Sequence, residues 1–300
     1  MKQKWIGDGG LQIRMLITIF LLGAVYVFFL AALWSLGAGA MTMLAFAGAM
    51  MAAQYFFSDK MILWSMGAKD VTPEQAPDLH AMVERLAAMA DMPKPRIAMV
   101  EHSMANAFAT GRDPKHAVVA VTTGLIQQLN RDELEAVLAH ELSHVKNRDV
   151  MVITLASFFS TLAFMIMRFG MYMGLFGGFG GRGRDNQGNA IILVYFVAVL
   201  VWIVSFLLIR ALSRYREYSA DRGAAVLTGS PSHLSSALLK ISGRMQRIPK
   251  DDLRQVEGAN AFFIMPAVGK NSLMELISTH PSLENRLKRL AALEQQMEQA

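Results

Sequence analysis

Apolar positions in this chain fall into long uncharged runs, set between charged blocks of mixed pattern. No charged residue occurs between Arg14 and Asp59, none between Asp149 and Arg168, and the stretch 186–209 is also uncharged. A helix crosses a bilayer core with about 20 apolar residues. The run 15–57 therefore predicts two spans with a tight turn at Gly37-Ala38-Gly39, and it is far too long for the core of a signal peptide. Two more spans are predicted over 150–172 and 190–209. A Gly-rich loop, 174–188, lies between them and carries Arg182, Arg184 and Asp185. This second pair is also open to a re-entrant or protein-packed hairpin.

The blocks between the runs read differently. Thr72-Pro73-Glu74 predicts a helix start, with Thr72 as N-cap and Pro73 in the first position, running to Met89 and stopped by Pro93 and Pro95. Segments 96–100, 105–110 and 117–122 are short and rich in apolar and β-branched residues, with turn signals at Gly111 and Asp113-Pro114, and predict three strands of a small sheet. Asn130 and Glu133 form a capping-box pair, so a helix is expected from Arg131 to about Arg148. Further helices are expected over 212–227, ending near Gly229, and over 282–297 after Pro281. The fold class expected is an α+β membrane protein, mostly helical, with four transmembrane helices and a small β-sheet. Its segments are an N-terminal tail (1–14), a first hairpin (15–57), a polar block (58–149), a second hairpin (150–209) and a second polar block (210–300).

Composition agrees with the pattern. Hydrophobic residues make up 53% and charged residues 18% of the chain, against about 25% charged in a soluble domain. The net charge is +5, but the basic residues lie beside the apolar runs, where they orient the chain and meet anionic headgroups of the lipid bilayer. No basic stripe interleaved with aromatics appears, so nucleic acid is not expected as a partner. Lys2, Lys4, Arg14, Lys60, Lys69, Lys146, Arg148, Arg210, Arg214 and Arg216 flank the runs on what the positive-inside rule makes the cytoplasmic side. Both polar blocks then lie on that side and can fold together. The chain has no cysteine, so disulfides and thiolate metal sites are excluded, and any metal must be held by His and carboxylates.

The chemistry concentrates in His140-Glu141-Leu142-Ser143-His144. Residues four apart share a helix face, so both imidazoles can reach one ion. Glu141 is placed to take a proton from a water at that ion. Two nitrogen ligands with a carboxylate and an open position suit zinc. The third ligand is sought in Arg214-Tyr215-Arg216-Glu217-Tyr218-Ser219-Ala220-Asp221. Glu217 can reach the metal while Asp221, one turn on, hydrogen-bonds a ligand histidine. The competing reading is a solvated set of pairs between Arg214 or Arg216 and the two carboxylates. The neighbouring metal motif favours the ligand.

These residues, with the two hairpins and a late His280-Pro281 followed by Arg286, resemble the HtpX family of bacterial membrane metallopeptidases, relatives of the CAAX prenyl endopeptidase. The resemblance implies a gluzincin-like catalytic domain in a multi-pass protein of the bacterial cytoplasmic membrane, facing the cytoplasm. It also implies a zinc endopeptidase that acts on unfolded or damaged membrane-protein substrates in quality control. His280 would help stabilise the oxyanion of the reaction and Arg286 would brace it. Asn106, Ala107, Phe108 and Ala109 look like the family's strand beside the cleft, an edge strand that holds substrate extended by main-chain bonds. Only one of Ala107 and Ala109 is expected to face substrate. A prenyl-peptide processing protease would use the same residues. A non-catalytic metal-binding membrane adaptor is the alternative from another class, and it would have no need of Glu141.

Overall fold

The computed structural model describes residues 9–35, 40–176, 185–245 and 279–299. The helices are α1 (Gly9–Ser35), α2 (Ala40–Ser65), α3 (Pro77–Met89), α4 (Thr123–Gln128), α5 (Arg131–Lys146), α6 (Asp149–Phe176), α7 (Asp185–Thr228), α8 (Pro231–Met245) and α9 (Leu283–Glu298). The strands are β1 (Lys69–Asp70), β2 (Arg96–Val100), β3 (Ala107–Thr110) and β4 (Val118–Thr122). The expected turn at 37–39 and the loop arginines 182 and 184 lie outside the described residues.

Among the described residues, two helical stretches are long and apolar enough to cross a membrane, Gly9–Ala31 and Tyr195–Thr228. A third arises if α5 and the start of α6, which meet at 54°, are counted as one bent span. These apolar helices pack on one another. Phe29 of α1, Leu162 and Ala163 of α6, and Ala198 and Val201 of α7 form one buried cluster. Leu22, Tyr26, Ala156 and Leu212 form a second, in which the Tyr26 hydroxyl donates to the Ala156 carbonyl. Phe20, Trp34 and Phe196 point outward, as expected of surfaces that meet lipid rather than water.

Helix α7 corrects the expectation of a span at 190–209 followed by a separate helix at 212–227, because it is continuous over Asp185–Thr228. No Pro or Gly occurs between Asn189 and Gly223, so nothing interrupts the backbone ladder. The 44-residue helix is a rod of about 66 Å at 1.5 Å per residue. The helix expected from Thr72 instead begins at Pro77. The stretch 73–75 forms a turn in which the N–H groups of Gln75 and Ala76 both donate to the Thr72 carbonyl, and the Thr72 N–H donates to the Gln75 side chain. A helix started at Pro73 would carry Pro77 inside it, with a missing donor and a ring against the carbonyl four residues back. At the first position of α3 the same proline is tolerated.

The sheet has the order β1-β2-β4-β3, with β2 parallel to β4 and the other pairs antiparallel. The two-residue, charged β1 has no hydrophobic pattern to announce it. The residues of β3 and β4 are all buried, with α3, α5 and α8 joining them in the main core. Among the described residues, strand β3 is one edge of the sheet. The Thr122 N–H donates to the Asn106 carbonyl at 2.9 Å, so the alternation of an antiparallel ladder turns the backbone groups of Phe108 and Thr110 to β4. Ala107 and Ala109 then share the opposite side. Residues two apart on a strand have the same parity, and of the two it is Ala109 that lines the cleft.

Helix α5, which carries the metal motif, is fixed at its start. The Asn130 side chain accepts from the Glu133 N–H, and Glu133 accepts from the Asn130 N–H. Buried Glu133 also accepts from Ser236 Oγ at 2.6 Å and Lys240 Nζ at 2.7 Å, tying α5 to α8. Glu133→Ala removes a cap and two cross-helix bonds at once. It should cost about 1–3 kcal/mol, seen as a lower thermal unfolding midpoint in detergent. An unchanged midpoint would show that this carboxylate does not hold the two helices together.

Candidate metal centre

His140 and His144 lie one turn apart on α5, their rings 4.7 Å apart and nearly perpendicular at 89°. Their Nε2 atoms are 3.1 Å apart. From α7, Glu217 brings Oε2 to 3.7 Å from His140 Nε2 and Oε1 to 3.4 Å from His144 Nε2. One ligand atom from each of the three residues lies within 4.8 Å of the others. Donors about 2.1 Å from a shared tetrahedral ion stand roughly 3.4 Å apart, so the observed separations bracket what zinc requires.

Each outer ring nitrogen meets a carboxylate. His140 Nδ1 is 3.0 Å from Asp221 Oδ1, and His144 Nδ1 is 2.6 Å from Asp149 Oδ2. A carboxylate beside Nδ1 favours the Nδ1–H tautomer, which leaves the Nε2 lone pair facing inward. Two such lone pairs and the Glu217 carboxylate then converge on one buried point, an arrangement that calls for a proton or a cation. The protein groups show the same tension. Burial works against charge on His144, but the hydrogen bond and charge of Glu217 outweigh it and hold the imidazole above its usual range. Burial holds His140 below its usual range, against the pull of Asp221. A metal would take the place of the proton on His144, so binding should weaken as pH falls.

Glu141 lines the same cleft and reaches the sheet edge, where its Oε2 accepts the Ala109 N–H at 2.9 Å. Burial raises this carboxyl to about 7, with Glu217 adding to the rise and His144 opposing it. A divalent cation beside it would favour the ionised form and bring the value down. His280 is buried, with Nδ1 3.1 Å from Glu217 Oε2. Arg286 is fully buried and grips Asp221 through two bonds, Nε to Oδ2 at 2.9 Å and an NH2 group to Oδ1 at 2.5 Å. Its third nitrogen is 3.6 Å from Glu217 Oε2. Arg286 thus braces the carboxylates from behind. Asn106 immediately precedes the edge strand that holds Ala107, Phe108 and Ala109, with Phe108 and Ala109 on the cleft wall.

The cleft has a volume of about 440 Å³. It runs from His140, Glu141, His144 and His280 between α6 and α7, where Thr154, Ser157 and Thr161 line it on one side and Phe206 and Ser213 on the other. Asp149 and Arg216 also line it. Sequence reasoning treated Arg216 as a charge flanking an apolar run or as a solvated partner of Glu217 or Asp221, and gave Asp149 no role. A usable signal existed for Asp149, which follows His144 by five residues just beyond the end of α5.

The profile of peptidase family M48 matches residues 73–294. The protease HtpX homolog of Moorella thermoacetica is 60% identical over 300 residues, covering 100% of this chain and 99% of that protein. The protease HtpX homolog 2 of Methanosarcina mazei is 59% identical over 297 residues, covering 99% of this chain and 100% of that protein. In fold, the crystal structure of Ste24p from S. mikatae aligns with a TM-score of 0.57 at 20% identity, covering 94% of this chain and 66% of that one. The match over the convergent site and both polar blocks, with relatives alike along the full length, places the chain in peptidase family M48 as a metalloprotease of the HtpX type.

Proposed function

We propose that this chain is a zinc endopeptidase of the bacterial cytoplasmic membrane, with four transmembrane helices and a gluzincin-like catalytic domain facing the cytoplasm. Its proposed substrates are unfolded or damaged membrane proteins. The observation that carries the reading is the convergence of His140, His144 and Glu217 in a buried cleft that continues between two apolar helices. That continuation favours a substrate whose scissile segment lies close to the bilayer.

His140, His144 and Glu217 would hold the zinc, which when bound polarises the scissile carbonyl and makes a nearby water more acidic. Glu141 takes a proton from the attacking water and delivers it to the leaving amine. Its bond to the Ala109 N–H sets where that carboxylate starts. His280, at the cleft wall beside Glu217, supports negative charge developing on the carbonyl oxygen. Asp221 holds the His140 ring, and Arg286 positions Asp221 and Glu217 together. The outer edge of β3 offers the backbone groups of Ala107 and the carbonyl of Ala109 to an extended peptide, the Ala109 N–H being given to Glu141. Pairing through main chain suits a protease with many substrates, because it asks for exposed backbone rather than a side-chain code.

Alanine at His140, His144 or Glu217 should remove bound zinc and peptide cleavage together, as read by elemental analysis and a peptidase assay. Glu141→Gln should retain zinc while turnover falls by about 10²–10⁴-fold. Full zinc occupancy in Glu217→Ala would remove it as a ligand, and wild-type turnover in Glu141→Gln would remove it as the base.

Single cysteines introduced into this cysteine-free chain test the orientation. A cysteine at Ser103 or Ser230 should resist an impermeant thiol reagent until the cells are permeabilised, whereas one at Asn186 should label from outside. Labelling of the first two in intact cells contradicts a cytoplasmic catalytic domain. A silent Asn186 site contradicts a full crossing by the second hairpin.

Proline at Ala107 or Ala109 tests the substrate edge, because neither N–H belongs to the β3–β4 ladder; at Ala109 the change also removes the bond to Glu141, so the Ala107 variant is the one that isolates substrate pairing. Each variant should keep its zinc and lose cleavage by at least about fivefold, the worth of one net backbone bond of roughly 1 kcal/mol. Two folded, zinc-loaded and fully active variants would place the substrate elsewhere.

A further inference from the structure

His144 is held from behind by a pair that the reaction itself does not call for. Asp149 is the first residue of α6, and its Oδ2 lies 2.6 Å from His144 Nδ1. Its other oxygen accepts from the Arg216 guanidinium. The same guanidinium donates to the Asn147 carbonyl at 2.7 Å. Asp149 and Arg216 are both 6% exposed. Between α5 and α6, Arg148 takes a positive φ of 55°, a conformation uncommon for a residue with a side chain. The chain turns tightly there, bringing the Asp149 carboxylate back to a ring on the preceding helix.

We infer that Asp149 and Arg216 are a positioning pair for the second histidine of the metal centre, an inference that rests on the metal reading above. The arrangement parallels the other side of the site. Asp221 with Arg286 meets Nδ1 of His140, and Asp149 with Arg216 meets Nδ1 of His144. In both, a carboxylate fixes the ring and its tautomer while an arginine fixes the carboxylate. The second set has a distinct origin. Asp149 opens α6, and Arg216 immediately precedes Glu217 on α7. One ion pair therefore links a histidine ligand to the bend between α5 and α6 and to the helix that carries the carboxylate ligand. A shift of α6 against α7 would pull on the ring directly.

The competing reading is a helix clamp with no effect on the metal. Removing one partner alone would strand a buried charge, whereas an apolar pair of similar volume is often tolerated. The test is therefore the double variant Asp149→Leu/Arg216→Met, purified in detergent and stripped of metal, beside the wild type. Zinc affinity is measured by competition with a chromophoric chelator, and Co(II) is added separately for its visible spectrum. The variant should unfold near the wild-type temperature yet bind zinc about 10- to 100-fold more weakly, with an altered Co(II) spectrum. Wild-type affinity and spectrum in the variant overturn the positioning role and leave the metal reading standing. A wild type that binds no stoichiometric zinc overturns both. If the double variant does not fold, Asp149→Glu decides. It keeps the charge and lengthens the arm, so weaker binding supports the pair and unchanged binding overturns it.

Discussion

Three lone-pair donors buried at one point would repel one another unless a proton or a cation sits between them. His140 and Glu217, buried, and His144, partly buried, meet that description, and the packing around them serves to hold it. The constraint acts from both sides. Asp221 and Asp149 beside the outer ring nitrogens favour the proton there, which leaves the inner nitrogens as acceptors. Arg286 and Arg216 then offset the negative charge that two further carboxylates bring into the protein interior.

The two halves of the site come from opposite sides of the second apolar hairpin, and the continuity of α7 decides how they meet. Because that helix is one rod over Asp185–Thr228, the height of Glu217 relative to the apolar segment is set by helix rise alone. Helix α5 is fixed independently, by its capping box and by the Glu133 tie to α8. The site forms where a helix rooted in the apolar bundle passes one rooted in the sheet-bearing core. The cleft inherits this geometry, with histidines and a sheet edge at one end and the α6–α7 groove at the other.

The sheet edge contributes more than a surface. Ala109 gives its N–H to Glu141, so the strand proposed to receive substrate also meets the proposed base. In that proposal, substrate docking and base placement are linked through one backbone group, on a strand whose opposite side is committed to β4.

The sequence by itself determined whatever depends on local spacing and composition. The uncharged runs are visible because lipid admits few charges over about 20 residues. The capping box and the four-residue histidine spacing are visible because a helix repeats every 3.6 residues. Helix starts were less secure. The start expected at Thr72-Pro73 gave way to Pro77, because a proline is excluded from a helix interior. Tertiary structure alone decided the rest. Arg216 carries no pattern of its own among charged residues beside apolar runs, and the five-residue spacing of Asp149 from His144 gains its meaning only when α5, α6 and α7 converge. The reach of the cleft between the apolar helices is likewise invisible in the chain, since it is a property of the space between elements and not of any one of them.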